Sequence, residues 1–421
     1  VKVFAEYFRG FRAIEVDLEK LVFLVGDNSS GKSSILHLVD SVLRGGLSSP
    51  PVLNEELGVG EYDYFSPYFG SADVTFGFST GVGEDFFCKV VTVKNRKDRP
   101  PEIIRCSYLT NRTLITCKKT PSAGQARIIS DVDDVGFHRI IELHNETTGF
   151  NLSGRPPRGI SFGEPTIIFS LIPYDKIKDG NAFLDRIFGE ISGARLISPI
   201  RALPEKFYSA SRKITALGLH FAPMWHDFSG LKSKFNFDAV RAFGLESGLF
   251  EDIKVKKISS RVPDSPLIVS VVKSNKEFFL NQVGVGVSQV VPILVETVYA
   301  LRNKPKLAIL VQQPELHLHP VAQAALGSFF HRSYRDGLRG ILETHSSFLI
   351  DRFRSDLRDQ NDLKIDAEEL ASPKDLLILF CENGPEGNTA YEVDIEHNGA
   401  LSGEPDAFHT FFVDEMLRTM L

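Results

Sequence analysis

Gly26-Asp27-Asn28-Ser29-Ser30-Gly31-Lys32-Ser33 places two glycines, a lysine and a hydroxyl at a spacing that can grip an oxyanion. Glycines allow tight backbone angles, so successive N–H groups can turn toward phosphate oxygens. A helix that opens at Lys32 aims its positive end at the same anion. Lys32 then supplies a point charge for the β- and γ-phosphates, and the Ser33 hydroxyl is a ligand for Mg²⁺. The segment fits the phosphate-loop pattern G-x-x-x-x-G-K-[ST] without a gap. The expected nucleotide contacts are Gly26, Asp27, Asn28, Ser29, Ser30, Gly31, Lys32, Ser33 and the adjoining Ser34.

Such a loop needs a buried strand before it and a helix after it. Leu21–Val25 is a short apolar run, and Lys32–Leu43 carries Ile35, Leu36, Val39 and Leu43 at helical spacing. A second buried-strand run, Leu307–Val311, leads into Gln312-Gln313-Pro314-Glu315-Leu316-His317-Leu318-His319-Pro320. A phosphoryl-transfer site needs an acid at such a strand end, to hold Mg²⁺ or to order the attacking water. Val283-Gly284-Val285-Gly286-Val287-Ser288-Gln289 precedes a predicted helix over Ser288–Leu301. Glu343-Thr344-His345-Ser346 closes a further short strand.

In order and type these segments resemble the ABC-class ATPases, in particular the OLD-like and RecF/SMC-like group without a Toprim domain. The resemblance covers about residues 1–46 and 275–350. It implies an α/β fold, an ABC-type P-loop NTPase head with a mixed β-sheet and helices, split by a β-rich and helical insertion. The expected division is a head over 1–46 and 275–421, a β-rich insertion over 60–175 and a helical arm over 180–250, with a linker at 47–60. It also implies ATP and Mg²⁺ as cofactors, a catalytic set of Lys32, Gln313 and His345, and Ser33 with Gln312 at the metal. Ser288 and Gln289 would complete the site of a second copy, which makes the expected assembly an ATP-dependent homodimer or higher oligomer. Leu196–Pro204, with Pro199 and Arg201, resembles a further "PxR" element of the group.

The chain departs from the pattern at the strand end, where the group usually carries two acids and this chain has Gln312 and Gln313. An amide accepts a hydrogen bond but cannot take a proton near pH 7. Either ATP is hydrolysed slowly and serves as a clamp or sensor, the reading favoured here, or a glutamine has replaced a natural acid and traps the ATP state. Glu315 is a partial substitute as ligand, although the resemblance places it beyond the metal. His317 and His319 would share one face if they lay on a strand, inviting a zinc reading. No Cys or carboxylate cluster completes such a site, and packing at a dimer contact is the favoured alternative.

Composition bounds the remaining classes. The chain has 421 residues, 43% hydrophobic and 24% charged, which excludes a disordered tail, a collagen-like fibre and a disulfide miniprotein. A net charge of −6 gives no global basic field, so nucleic-acid contact needs local patches or a partner. Lys94-Asn95-Arg96-Lys97 with Arg99, Lys118-Lys119, and Lys254-Val255-Lys256-Lys257 are such patches, and each reads equally as a solvated strand face. Four scattered cysteines predict a reduced, cytoplasmic protein, and neither a signal peptide nor a membrane span is expected. About 75 residues follow His345 and read as the closing strands and helix of the head and not as a Toprim fold, so the expectation is that any nuclease is a separate subunit. Stand-alone ATPases of this layout resemble the ATPase subunit of Septu-type anti-phage systems, which implies an HNH-type nuclease partner. A RecF-like repair ATPase acting directly on DNA is the alternative, and a transporter ATPase is disfavoured by the long insertion.

Overall fold

A computed structural model describes residues 1–48, 73–81, 86–96, 99–110, 112–132, 136–155, 162–164, 167–172, 193–210, 214–229, 237–303, 307–362, 375–405 and 408. The elements in chain order are β1 (Lys2–Phe8), β2 (Phe11–Asp17), β3 (Leu21–Gly26), α1 (Lys32–Gly45), β4 (Val74–Thr80), β5 (Phe87–Arg96), β6 (Arg99–Thr110), β7 (Thr113–Lys119), β8 (Gly124–Ile129), α2 (Phe137–Asn145), β9 (Leu152–Gly154) and α3 (Ile167–Leu171). There follow β10 (Gly193–Ile197), α4 (Phe221–Ser229), α5 (Phe237–Ser247), β11 (Asp252–Lys257), β12 (Leu267–Lys273), β13 (Lys276–Phe279), α6 (Val285–Arg302), β14 (Leu307–Gln312), α7 (Pro320–Arg335), β15 (Gly340–Glu343), α8 (Ser347–Asp362), β16 (Leu376–Gly384), β17 (Gly387–Ile395) and β18 (Leu401–Ser402). The fold is mixed α/β, as the sequence predicts.

The chain divides into two compact units. Unit 1 comprises Val1–Glu19, Ser34–Gly193 and Asn383–Thr389; unit 2 comprises Lys20–Ser33, Ala194–Glu382 and Ala390–Leu421. Sequence texture follows the type of element, whereas compactness follows which apolar faces meet.

Unit 1 is an antiparallel system. β1 pairs with both β2 and β4, and β4 through β9 pair in succession. The expected hairpins between 72 and 129 are present. The helix α2, which the strand-like texture hid, covers this sheet with Phe137 against Phe4. Its His144 is fully buried and bonds the hydroxyls of Thr92 and Ser107, both at 2.7 Å. Burial, then the nearby Arg105 and Arg127, hold this imidazole well below its usual pKa. It is a satisfied core group and carries no chemistry.

Unit 2 holds a parallel set in the order β14-β15-β3-β16, with β10 beside β14. Leu21–Val25 and Ile309–Val311 are buried throughout, as a strand covered on both faces requires. The antiparallel β11-β12-β13 forms a separate small sheet. The described helices between 180 and 250, α4 and α5, contribute to the core of unit 2. Phe221, Trp225, Phe228, Val240 and Phe243 enter the same core as Phe23 and Val311. Their apolar stripe has no other face to cover it.

Helix α6 is long and apolar enough to cross a bilayer, but 78% of it is buried within the protein. The linker expected at 47–60, much of 173–192 and the closing helix expected at Phe408–Met420 lie almost wholly outside the described residues. All four cysteines are free and buried.

Candidate functional site: a phosphate loop beside a buried carboxylate

Because β14, β15, β3 and β16 are parallel, their carboxyl ends share one edge of unit 2. Gln312 lies in register with Glu343, Glu343 with Leu24, and Cys381 with Gly26. Ligands of open α/β sheets bind at such an edge. Gly26 turns the chain out of β3 with φ +134°, and a β-carbon there would lie 1.9 Å from the Cys381 carbonyl oxygen. Gly26→Ala is therefore expected to cost about 2–4 kcal/mol of stability and to displace the loop. Urea denaturation followed by circular dichroism checks this, an unchanged midpoint being the contrary result.

Beyond Gly26 the loop turns on left-handed Ser29 (φ +66°) and Gly31 (φ +93°). The buried Ser30 hydroxyl donates to the Asp27 carbonyl at 2.8 Å, while Asp27, Asn28 and Ser29 are exposed. Lys32 is folded into its own loop, its Nζ donating to the carbonyls of Gly26 (2.8 Å) and Asp27 (2.5 Å). Burial lowers its pKa, opposed by the charges of Glu343, Cys381 and Asp27. The first-turn N–H groups of α1 have no intrahelical acceptor and suit an anion. Ser34, an expected contact, instead has its hydroxyl engaged by Arg9 Nη1 at 2.6 Å.

The central acid of the site is one the motif reading did not assign. Ser33 Oγ donates to the Glu343 carboxylate, 3.0 Å from Oε1 and 3.3 Å from Oε2, and Gln312 Nε2 donates to Oε2 at 3.2 Å. Glu343 is only 3% exposed, and burial raises its pKa against the pull of Ser33, Gln312 and Lys32. The sequence signal was present: an acid ends the buried run Ile341-Leu342 directly before Thr344-His345. Gln312, expected at the metal, turns its NH₂ group to that acid.

Gln313 has left-handed backbone (φ +42°), and its N–H donates to the Glu343 carbonyl at 2.8 Å. Glu315 is not a spare metal ligand. Its Oε1 accepts the His345 backbone N–H at 2.7 Å and its Oε2 the Thr344 hydroxyl at 2.8 Å. His345 is half-buried, and burial and then Lys32 lower its pKa. It lies close enough to Lys32 to sense its charge. Ser346 donates to Gln323 Oε1 at 2.6 Å, which ties the His345 segment to α7.

Ser288 and Gln289 belong to a different cluster. Ser288 Oγ donates to the Val285 carbonyl of its own helix at 2.9 Å. Gln289 clamps the Arg201 segment: its Oε1 accepts Arg201 N–H at 3.2 Å, and its Nε2 donates to the carbonyls of Arg201 and Ala202, both at 3.3 Å. Its amide holds the PxR element within the same chain. Arg201 is buried, which lowers its pKa to about 10 against the countercharge of Glu315. Gly286 lets this segment touch the one after β14, since a β-carbon there would meet the His317 carbonyl at 2.8 Å.

His317 and His319 do not share a strand face. His317 is left-handed (φ +69°), and His319 caps α7, its Nδ1 accepting the Ala322 N–H at 3.3 Å. Among the described residues no cluster of His, Cys, Asp and Glu could hold a metal by itself. The basic patches are partly neutralised: Lys254 and Lys256 pair with Glu277 at 3.6 and 3.1 Å, Lys119 pairs with Glu102, and Lys118 sits over the Phe150 ring.

Residues 220–350 match the family described as AAA ATPase domain. That stretch contains Ser288, Gln289, Gln312, Gln313, Glu343 and His345, while the phosphate loop lies outside it. No curated protein sequence matches the chain. Among solved structures, the SmcHead bound to the C-winged helix domain of ScpA aligns over 94% of this chain and 97% of its own, with 12% identity and a TM-score of 0.42. The SMC head domain from Thermotoga maritima aligns over 93% of this chain and 98% of its own, with 10% identity and a TM-score of 0.36.

Proposed function

We propose that the chain is an ATP-binding ATPase subunit that works as a pair of heads, each phosphate loop closed by the other copy. The observation that carries this reading is the loop at the end of β3, with Lys32 and Ser33 set against Gln312 and Glu343. Backbone N–H groups of 26–33 surround the β- and γ-phosphates, and Lys32 exchanges its loop carbonyls for phosphate oxygens. His345 contacts the terminal phosphate. The Ser33 hydroxyl is a hard oxygen donor of the kind that would hold Mg²⁺ together with phosphate oxygens, and Gln312, the other position expected at the metal, lies beside it with its NH₂ group on Glu343. When bound, Mg²⁺ neutralises the charge that develops on the transferring group. Gln313 orients water but takes no proton from it, so turnover is slow.

Ser288 and the start of α6 face the partner copy, so ATP favours the dimer by mass action. Light scattering with Mg²⁺ and ATP is expected to give twice the mass seen without nucleotide. A single-chain mass in both conditions removes the paired-head reading.

The finer role rests on the sequence layout alone: a cytoplasmic anti-phage ATPase that controls a separate HNH-type nuclease. The pairing of Lys254 and Lys256 with Glu277 favours this over direct DNA binding, because it leaves less unbalanced charge for phosphates. Affinity purification from native cells that yields nucleic acid without a nuclease decides for the RecF-like alternative.

A further inference from the structure

We propose that Glu343, on the strand beside β14, supplies the anionic Mg²⁺ ligand that Gln312 cannot, so that the site stays metal-dependent despite the glutamines at 312 and 313. The inference rests on the nucleotide reading above and names a residue within the same site.

In a phosphate loop the Ser33 hydroxyl marks the cation's place. Both Glu343 oxygens lie against that hydroxyl, at 3.0 and 3.3 Å. The register of β14, β15 and β3 fixes this: Glu343 is flanked by Gln312 on one side and Leu24 on the other, directly beneath the loop. Gln312 then acts as a positioning residue, its Nε2 holding Oε2 at 3.2 Å. The NH₂ group turned to the acid explains why an amide suits position 312: a carboxylate there would repel Glu343 across the ladder.

The neighbouring acids do not compete for the role. Glu315 is bonded to the His345 N–H and the Thr344 hydroxyl, away from the Ser33 hydroxyl that marks the cation's place. Asp27 lies on the exposed part of the loop. Mg²⁺ is held by one or two carboxylates plus substrate phosphates rather than by an all-protein cage. With a single carboxylate and a hydroxyl, the cation arrives with the triphosphate.

The test uses Mn²⁺ as the probe, its binding read by the loss of the free-ion electron paramagnetic resonance signal. A fluorescent ATP analogue in EDTA reads metal-free binding. The full chain is expected to bind Mn²⁺ tightly only when ATP is present. Glu343→Gln, which keeps the shape, is expected to weaken Mn²⁺·ATP binding about tenfold or more. Its metal-free analogue binding should not weaken, because the substitution removes a negative charge that faces the phosphates. Gln312→Asp added to Glu343→Gln returns a carboxylate to the site and is expected to recover most of the loss, which also separates lost ligation from lost folding. Unchanged Mn²⁺·ATP affinity in Glu343→Gln, or a double variant that folds without recovery, overturns the assignment. Failure of the unmodified chain to bind the analogue in EDTA or Mn²⁺·ATP overturns the nucleotide reading itself.

Discussion

Lys32→Ala is expected to lower ATP affinity about a hundredfold or more and to reduce turnover to background, since one buried donor on the developing phosphate charge is worth that much. Lys32 is 4% exposed as a residue, and this burial lowers its pKa. A phosphate that replaces two carbonyl acceptors therefore gains a charge-assisted contact in a medium of low dielectric. Calorimetric titration with ATP, with circular dichroism to confirm folding, reads the result. Affinity within a few-fold of the unmodified chain would place the triphosphate elsewhere.

Gln313→Glu is expected to act in the opposite direction and raise the single-turnover rate of ATP hydrolysis about a hundredfold, the lower range for a positioned general base. The left-handed backbone at 313 and its bond to the Glu343 carbonyl fix where that side chain leaves the loop. Glu343 itself is buried beneath the loop, and its carboxylate is occupied by Ser33 and Gln312. In the proposed role it holds the metal, which leaves the proton to position 313. Single-turnover assays with radiolabelled ATP compare the two chains, and equal rates would remove position 313 from the chemistry.

The sequence was most readable where local pattern and chemistry coincide. The run Leu21–Val25, the loop to Ser33 and the start of α1 follow from apolar spacing and glycine placement. The strands from 74 to 129 follow from alternation and turn residues. What stayed hidden depended on which elements become neighbours. Glu343 and Ser33 are 310 positions apart, and only the β15–β3 register brings them together. The bonds of Gln289 to the main chain at Arg201 and Ala202 join positions nearly ninety residues apart, which no local pattern encodes. The packing of helices α4 and α5 was not legible, because amphipathic spacing tells which face is covered and not what covers it. His319 showed its role only once Pro320 was seen to begin a helix.

Glu315 has a mechanical consequence. A short, buried side chain with both oxygens committed behaves as a pin, so the main chain at His345 cannot shift without dragging the stretch from Gln312 to His319. That stretch bears on Gly286 at the entrance to α6, which is in turn latched to the PxR element. A displacement of the His345 main chain would thus be felt, through Glu315 and then the close approach at Gly286, near Ser288.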